Sequence, residues 1–219
     1  MRRRGPGHGH DRRATHLSKS APARTRTIGI ALFEGVEELD WAGPWEVFAA
    51  WSRYFPEDGA SVVLLTPDAG PVTCAKGARV IGHNSWDDGP PLDVLVYPGG
   101  QGTRPQLGDE TVRRWVRAVA ERAEVVTSVC TGALVLADAG LLDGRPATTH
   151  WASLDTLVGL GTGIEVRRGE RFVDDGDVVT AAGVSAGIDM ALHLVGRFAG
   201  AERAREVQKL IEYYPEPPT

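Results

Sequence analysis

The chain has 219 residues, 42% of them apolar, and a formal net charge of −5; that suffices for one buried core. No apolar run approaches the roughly 20 residues that span a bilayer. The two cysteines, Cys74 and Cys130, make no disulfide framework and fit a reducing, cytoplasmic setting. The charge is uneven: residues 1–26 carry a net of +7, which leaves −12 on residues 27–219. Residues 1–26 hold almost no large apolar side chain and read as a disordered basic tail with no secretory h-region. The acidic body argues against a grip on a phosphate backbone, so a nucleic-acid partner is not expected. No four-ligand Cys/His spacing for a metal occurs.

In chain order, TIGIALF (27–33) reads as a strand and WAGPWEVFAAW (41–51) as a helix entered through Gly43 and Pro44. SVVLLT (61–66) is a strand, and 72–75 with 78–81 form a small antiparallel excursion. LDVLVYP (92–98) is a strand ended by Pro98. Residues 109–122 form an amphipathic helix capped by Asp109. EVVTSV (124–129) is a strand and 131–140 a helix stopped by Gly140. ATTH (147–150) is a short strand and 151–160 a helix. Residues 165–183 read as a hairpin around Asp175-Gly176, and 185–200 and 201–214 as two closing helices. Strand–helix alternation predicts an α/β, flavodoxin-like, doubly wound single domain over 27–219, its mostly parallel sheet covered by helices on both faces.

In such sheets ligands sit beyond the carboxyl ends of the strands. Three loops converge there: Glu34 to Asp40, YPGGQGT (97–103), and the turn at Cys130. Cys130 lies between a strand and a helix, as in a nucleophile elbow. The helix N-terminus at Thr131 favours a thiolate and a lowered pKa. Cys74 has no such context and reads as structural. Gly99 and Gly100 leave room for a ligand, and their N–H groups are candidates to hold developing negative charge. Asp40, flanked by Leu39 and Trp41, is a carboxyl whose pKa burial would raise, fit for proton transfer; alone it also reads as an N-cap for the following helix. His150 ends a strand on the same edge. Thr131 either caps its helix or hydrogen-bonds a ligand.

The order LDxxGP, PGG, SVCTGALVLAxAGLLxG, ATTHW, TAxGxxAGIDxAL and EYxPxPP resembles the ThiJ/PfpI superfamily over about residues 27–218, nearest to its isocyanide hydratase branch. That resemblance implies a homodimeric, cofactor-free enzyme, with no metal, that adds water to a small R–N≡C substrate and yields an N-substituted formamide. It assigns the nucleophile to Cys130, its neighbour to Thr131, the acid/base to Asp40, the glycine loop to Gly99 and Gly100, and a closing tyrosine to Tyr213. A mobile helix is implied near Gly183 to Ser185, where Val-Ser replaces the branch's Ile-Thr. Thr131, where protease-like members carry histidine, counts against peptidase work. A second resemblance is to the sensor half of AraC-type regulators, where the cysteine need not catalyse. The chain stops at Thr219 without a DNA-binding half, which favours the enzyme over an orphan sensor of ligands or oxidants.

Overall fold

A computed structural model of the protein describes residues 25–216. The basic tail lies outside the described residues up to position 24. Its expected end is displaced slightly, because Arg26 opens the first strand, pairs with Glu124 at 3.1 Å, and covers the Phe198 ring.

Eleven strands and six α-helices alternate among the described residues. The main sheet uses β1 (Arg26–Ala31), β2 (Ala60–Thr66), β5 (Asn84–Ser85), β6 (Val94–Tyr97), β7 (Val125–Val129), β10 (Phe172–Asp174) and β11 (Val178–Ala181). Their order is β10-β11-β7-β6-β1-β2-β5. All neighbours run parallel except β10, which turns back antiparallel on β11 through the expected Asp175-Gly176 hairpin. The central strands are buried throughout, which is why they read as continuous β-branched and leucine runs and not as alternation.

The helices fall into two groups. One comprises α1 (Glu38–Tyr54), α5 (Ala186–Ala199) and α6 (Ala201–Leu210), packed on one another. The other comprises α2 (Glu110–Ala120), α3 (Gly132–Asp138) and α4 (Leu154–Leu160). This is the doubly wound fold expected. Asp109 caps α2 by accepting from the Thr111 and Val112 amides. Gly200 separates the two closing helices. No described helix is long and apolar enough to cross a membrane.

Two local expectations need correction. Helix α1 starts at Glu38, so Gly43 and Pro44 lie inside it. Pro44 leaves the Asp40 carbonyl without its usual helical N–H donor. The strand expected at 147–150 is only β8 (Pro146–Ala147), paired in a separate small sheet with β9 (Glu165–Val166). Strand β5 escaped notice because two residues carry no periodicity. The antiparallel excursion is present as β3 (Pro71–Thr73) and β4 (Arg79–Ile81).

Candidate active site

Cys130 follows β7 directly and holds φ at 57°. That left-handed backbone is costly for a residue with a Cβ, and it persists only where the surroundings fix it. They do so here from two sides. The Cys130 amide donates to the carbonyls of Ala181 (3.1 Å), the last residue of β11, and Ala182 (2.9 Å), just after it. The Thr149 hydroxyl donates to the Cys130 carbonyl at 2.6 Å. The expected elbow is therefore present, with its side chain 6% exposed.

Asp40 sits in the first turn of α1 and is fully buried. It is not the N-cap; Glu37 holds that position. The chain enters the helix early because neighbouring loops anchor its start. The Glu37 amide donates to the Gly99 carbonyl at 2.9 Å, and the Glu38 carboxylate accepts from the Lys76 amide at 2.7 Å. Asp40 Oδ2 accepts from the Gly99 amide at 2.9 Å. Its Oδ1 is sealed from solvent and has no nitrogen or oxygen partner among the described residues. The Cys130 thiol is the neighbouring side chain that acts on this carboxyl and favours its charged form.

Burial pushes the Asp40 carboxyl up to about 7 from 3.8, opposed by the Gly99 N–H and reinforced by the charge of Glu37. Burial, and then the charge of Asp40, push the Cys130 thiol up to about 12, although the Thr131 and Val184 amides aimed at the sulfur pull the other way. The expected lowered thiol pKa is thus reversed. Helix α3 has only seven residues, and its partial charge is outweighed by lost solvation and an adjacent carboxylate. Near neutral pH the pair consists of a thiol and a carboxyl that readily exchanges its proton.

The glycine loop has a different task from the one expected. The Gly99 amide is used by Asp40, and the Gly100 amide donates to Thr131 Oγ1 at 3.0 Å. Neither is free to hold an oxyanion. Thr131 occupies the N-cap position of α3 but makes no side-chain cap; its hydroxyl also meets Thr103 Oγ1 at 3.2 Å. It ties the glycine loop to the elbow. Two glycines permit this approach. A Cβ on Gly99 would lie 2.5 Å from the Thr131 nitrogen, and one on Gly132 would lie 2.0 Å from the Tyr97 oxygen.

Above the sulfur lies a cavity of about 260 Å³, lined by Cys130, Thr131, Gly100, His150, Val184 and Arg104 among others. His150 therefore reaches the site, with Nδ1 accepting from the Ala152 amide at 3.3 Å. Gly183 lies against the His150 ring. It lines a neighbouring cavity of about 370 Å³ that shares His150 and Val184 with the first. Tyr213 is not brought to Cys130 within this chain. Its hydroxyl donates to Asp189 of α5 at 3.0 Å, and it lines a separate groove with Arg171 and Phe172. Cys74 is buried in an ordinary setting beside Trp41, and burial raises its thiol. Among the described residues no three His, Cys, Asp or Glu side chains converge to hold a metal.

Sequence reasoning reached Val184 only through the Val-Ser step beside the implied mobile helix, and it missed Arg104. Val184 holds φ at 47°, and the signal was the Gly-Val-Ser step just after β11. Arg104 was visible only as a charge in the glycine loop.

The sequence profile of a known family matches residues 26–197. The chain belongs to the DJ-1/PfpI family. Proteins similar to it include both an enzyme and a transcriptional regulator. Isonitrile hydratase of Pseudomonas putida is 44% identical over 191 residues, covering 87% of this chain and 80% of that one. The transcriptional regulator CdhR of Pseudomonas aeruginosa is 32% identical over 67% of this chain, but this chain spans only 43% of it. A ThiJ/PfpI family protein from Pseudomonas syringae superimposes with a TM-score of 0.81 at 30% identity, covering 97% of this chain and 85% of that one.

Proposed function

We propose that this protein hydrates an isocyanide to an N-substituted formamide, with Cys130 as nucleophile and Asp40 as proton carrier. The observation that carries this reading is the buried Asp40 carboxyl beside the Cys130 thiol, in an elbow below a ligand-sized cavity. The 44% identity to an isonitrile hydratase supports the substrate class.

The Asp40 carboxylate takes the thiol proton as sulfur bonds to the terminal carbon, and returns it to that carbon. This gives a thioimidate, R–N=CH–S–Cys130. Asp40, ionised again, then takes a proton from water as its oxygen attacks the same carbon. Asp40 passes that proton to the nitrogen; as the C–S bond breaks and the carbon's hydroxyl becomes the formamide carbonyl, the hydroxyl proton goes to the sulfur and restores the thiol. Covalent attachment divides one hard addition into two easier ones. A thiol poised at about 12 needs such a partner, because little thiolate exists at neutral pH. Thr131, Gly99 and Gly100 act by positioning, and His150, Val184 and Gly183 shape the binding space. The proposal includes a homodimer, checked by light scattering.

The test is conversion of a simple alkyl isocyanide to its formamide by purified protein. Cys130→Ala and Cys130→Ser abolish it, and a chelator leaves it unchanged. A second reading is a non-catalytic sensor, favoured by the resemblance to a regulator and by a thiol held protonated. Binding of isocyanides without steady turnover selects that reading.

A further inference from the structure

We propose that Arg104 is a specificity-determining residue of the Cys130 site, and that the natural ligand carries a carboxylate on its R group. Arg104 lines the same cavity of about 260 Å³ as Cys130. One guanidinium nitrogen, Nη1, is anchored: it donates to the Gly100 carbonyl at 3.1 Å and to Thr103 Oγ1 at 2.9 Å. Those bonds fix the plane of the fork against the glycine loop. The Nε and Nη2 hydrogens meet no acceptor among the described residues, and no carboxylate pairs with Arg104 there. The open edge is the one that receives a carboxylate through two parallel bonds.

The charges around the cavity leave this cation uncompensated. The acid that shares the lining is Glu37, and it is already engaged by Lys76. His150 contributes a ring whose Nδ1 accepts a backbone N–H. Arg104 is solvent-exposed at the mouth of the reactive cavity, with its charge unpaired among the described residues, so its free edge is accessible to an anionic group on a ligand. The reaction assigned to the site rests on the hydration reading; the anion preference rests on the cavity alone.

The test separates the two. Binding of N-formylglycine and of the neutral N-formylglycinamide is measured calorimetrically on the full chain, in wild type and Arg104→Gln. These are the hydration products expected of isocyanoacetate and its amide. Wild type should favour the anion by roughly tenfold or more, and Arg104→Gln should lose that preference. Arg104→Lys, which keeps the charge without the fork, should fall between. Equal affinity for both compounds, no binding of either, or an unaltered preference in Arg104→Gln overturns the proposal. Turnover of isocyanoacetate and its amide is then compared. Anion-selective binding with neither isocyanide hydrated leaves Arg104 assigned and removes the hydration reading. Turnover of both without anion preference does the reverse.

Discussion

Cys130 and Val184 both hold left-handed backbone, at φ 57° and 47°, and meet at one sulfur. The first turns the buried thiol toward the cavity and the second turns an amide toward its sulfur. A β-branched residue in this region is strained. Val184→Gly should therefore be more stable than Val184→Ala by about 1 kcal/mol in denaturant unfolding, since only glycine adopts this backbone freely. Equal stability of the two variants would remove the strain argument.

Asp40 sets a pH dependence whose sign is fixed. Its folded pKa is raised to about 7 from 3.8, so its favourable contribution is complete below about 3.8 and is lost as pH rises through 7. Asp40→Asn has no such loss. Its stability relative to wild type should grow between pH 4 and 7 and then level off, with a ceiling of about 4 kcal/mol. A flat difference across that window would contradict the buried carboxyl. The same variant should lower turnover by at least ~10²-fold.

Alkylation of Cys130 should be slow at neutral pH and climb steeply in alkali, because burial and the Asp40 charge hold the thiol up at about 12. Removing that charge in Asp40→Asn should shift the labelling curve to lower pH. Iodoacetamide labelling followed by mass spectrometry reads both curves, with Cys74 resolved separately. An unshifted curve would show that Asp40 does not act on the sulfur.

Thr131 should matter through its hydroxyl and not through its position at a helix start. Thr131→Val leaves the Gly100 amide without its acceptor at 3.0 Å and should cost roughly 1 to 3 kcal/mol. Thr131→Ser should recover most of it. If valine is tolerated as well as serine, the hydroxyl does not hold the loop.

Much of this was legible in the residues. The parallel core strands, the Asp109 cap and the Asp175-Gly176 hairpin follow from apolar runs and turn chemistry. So does the strand-to-helix placement of Cys130. Hydrogen-bond destinations were not legible. The Gly99 and Gly100 amides looked free because their partners, Asp40 and Thr131, come from segments 59 and 31 positions away. The direction of the thiol pKa failed for the same reason: a helix N-terminus is visible locally, whereas burial and the facing carboxyl arise from tertiary packing. Within one chain Tyr213 lies apart from Cys130, its hydroxyl donating to Asp189, a placement that motif reading does not reveal.

The elbow depends on β11. The Cys130 amide is satisfied by Ala181 and Ala182, and Val184 follows two positions later. During synthesis the chain through α3 emerges first, and at that stage Cys130 has neither of these acceptors nor the second amide at its sulfur. It is then an ordinary thiol with no imposed backbone conformation. The raised, buried state of the thiol is set only when a segment about 50 residues downstream pairs with β7, a non-local contact of the kind that forms late. The unusual thiol is thus a chemical report that the last parallel strand has docked.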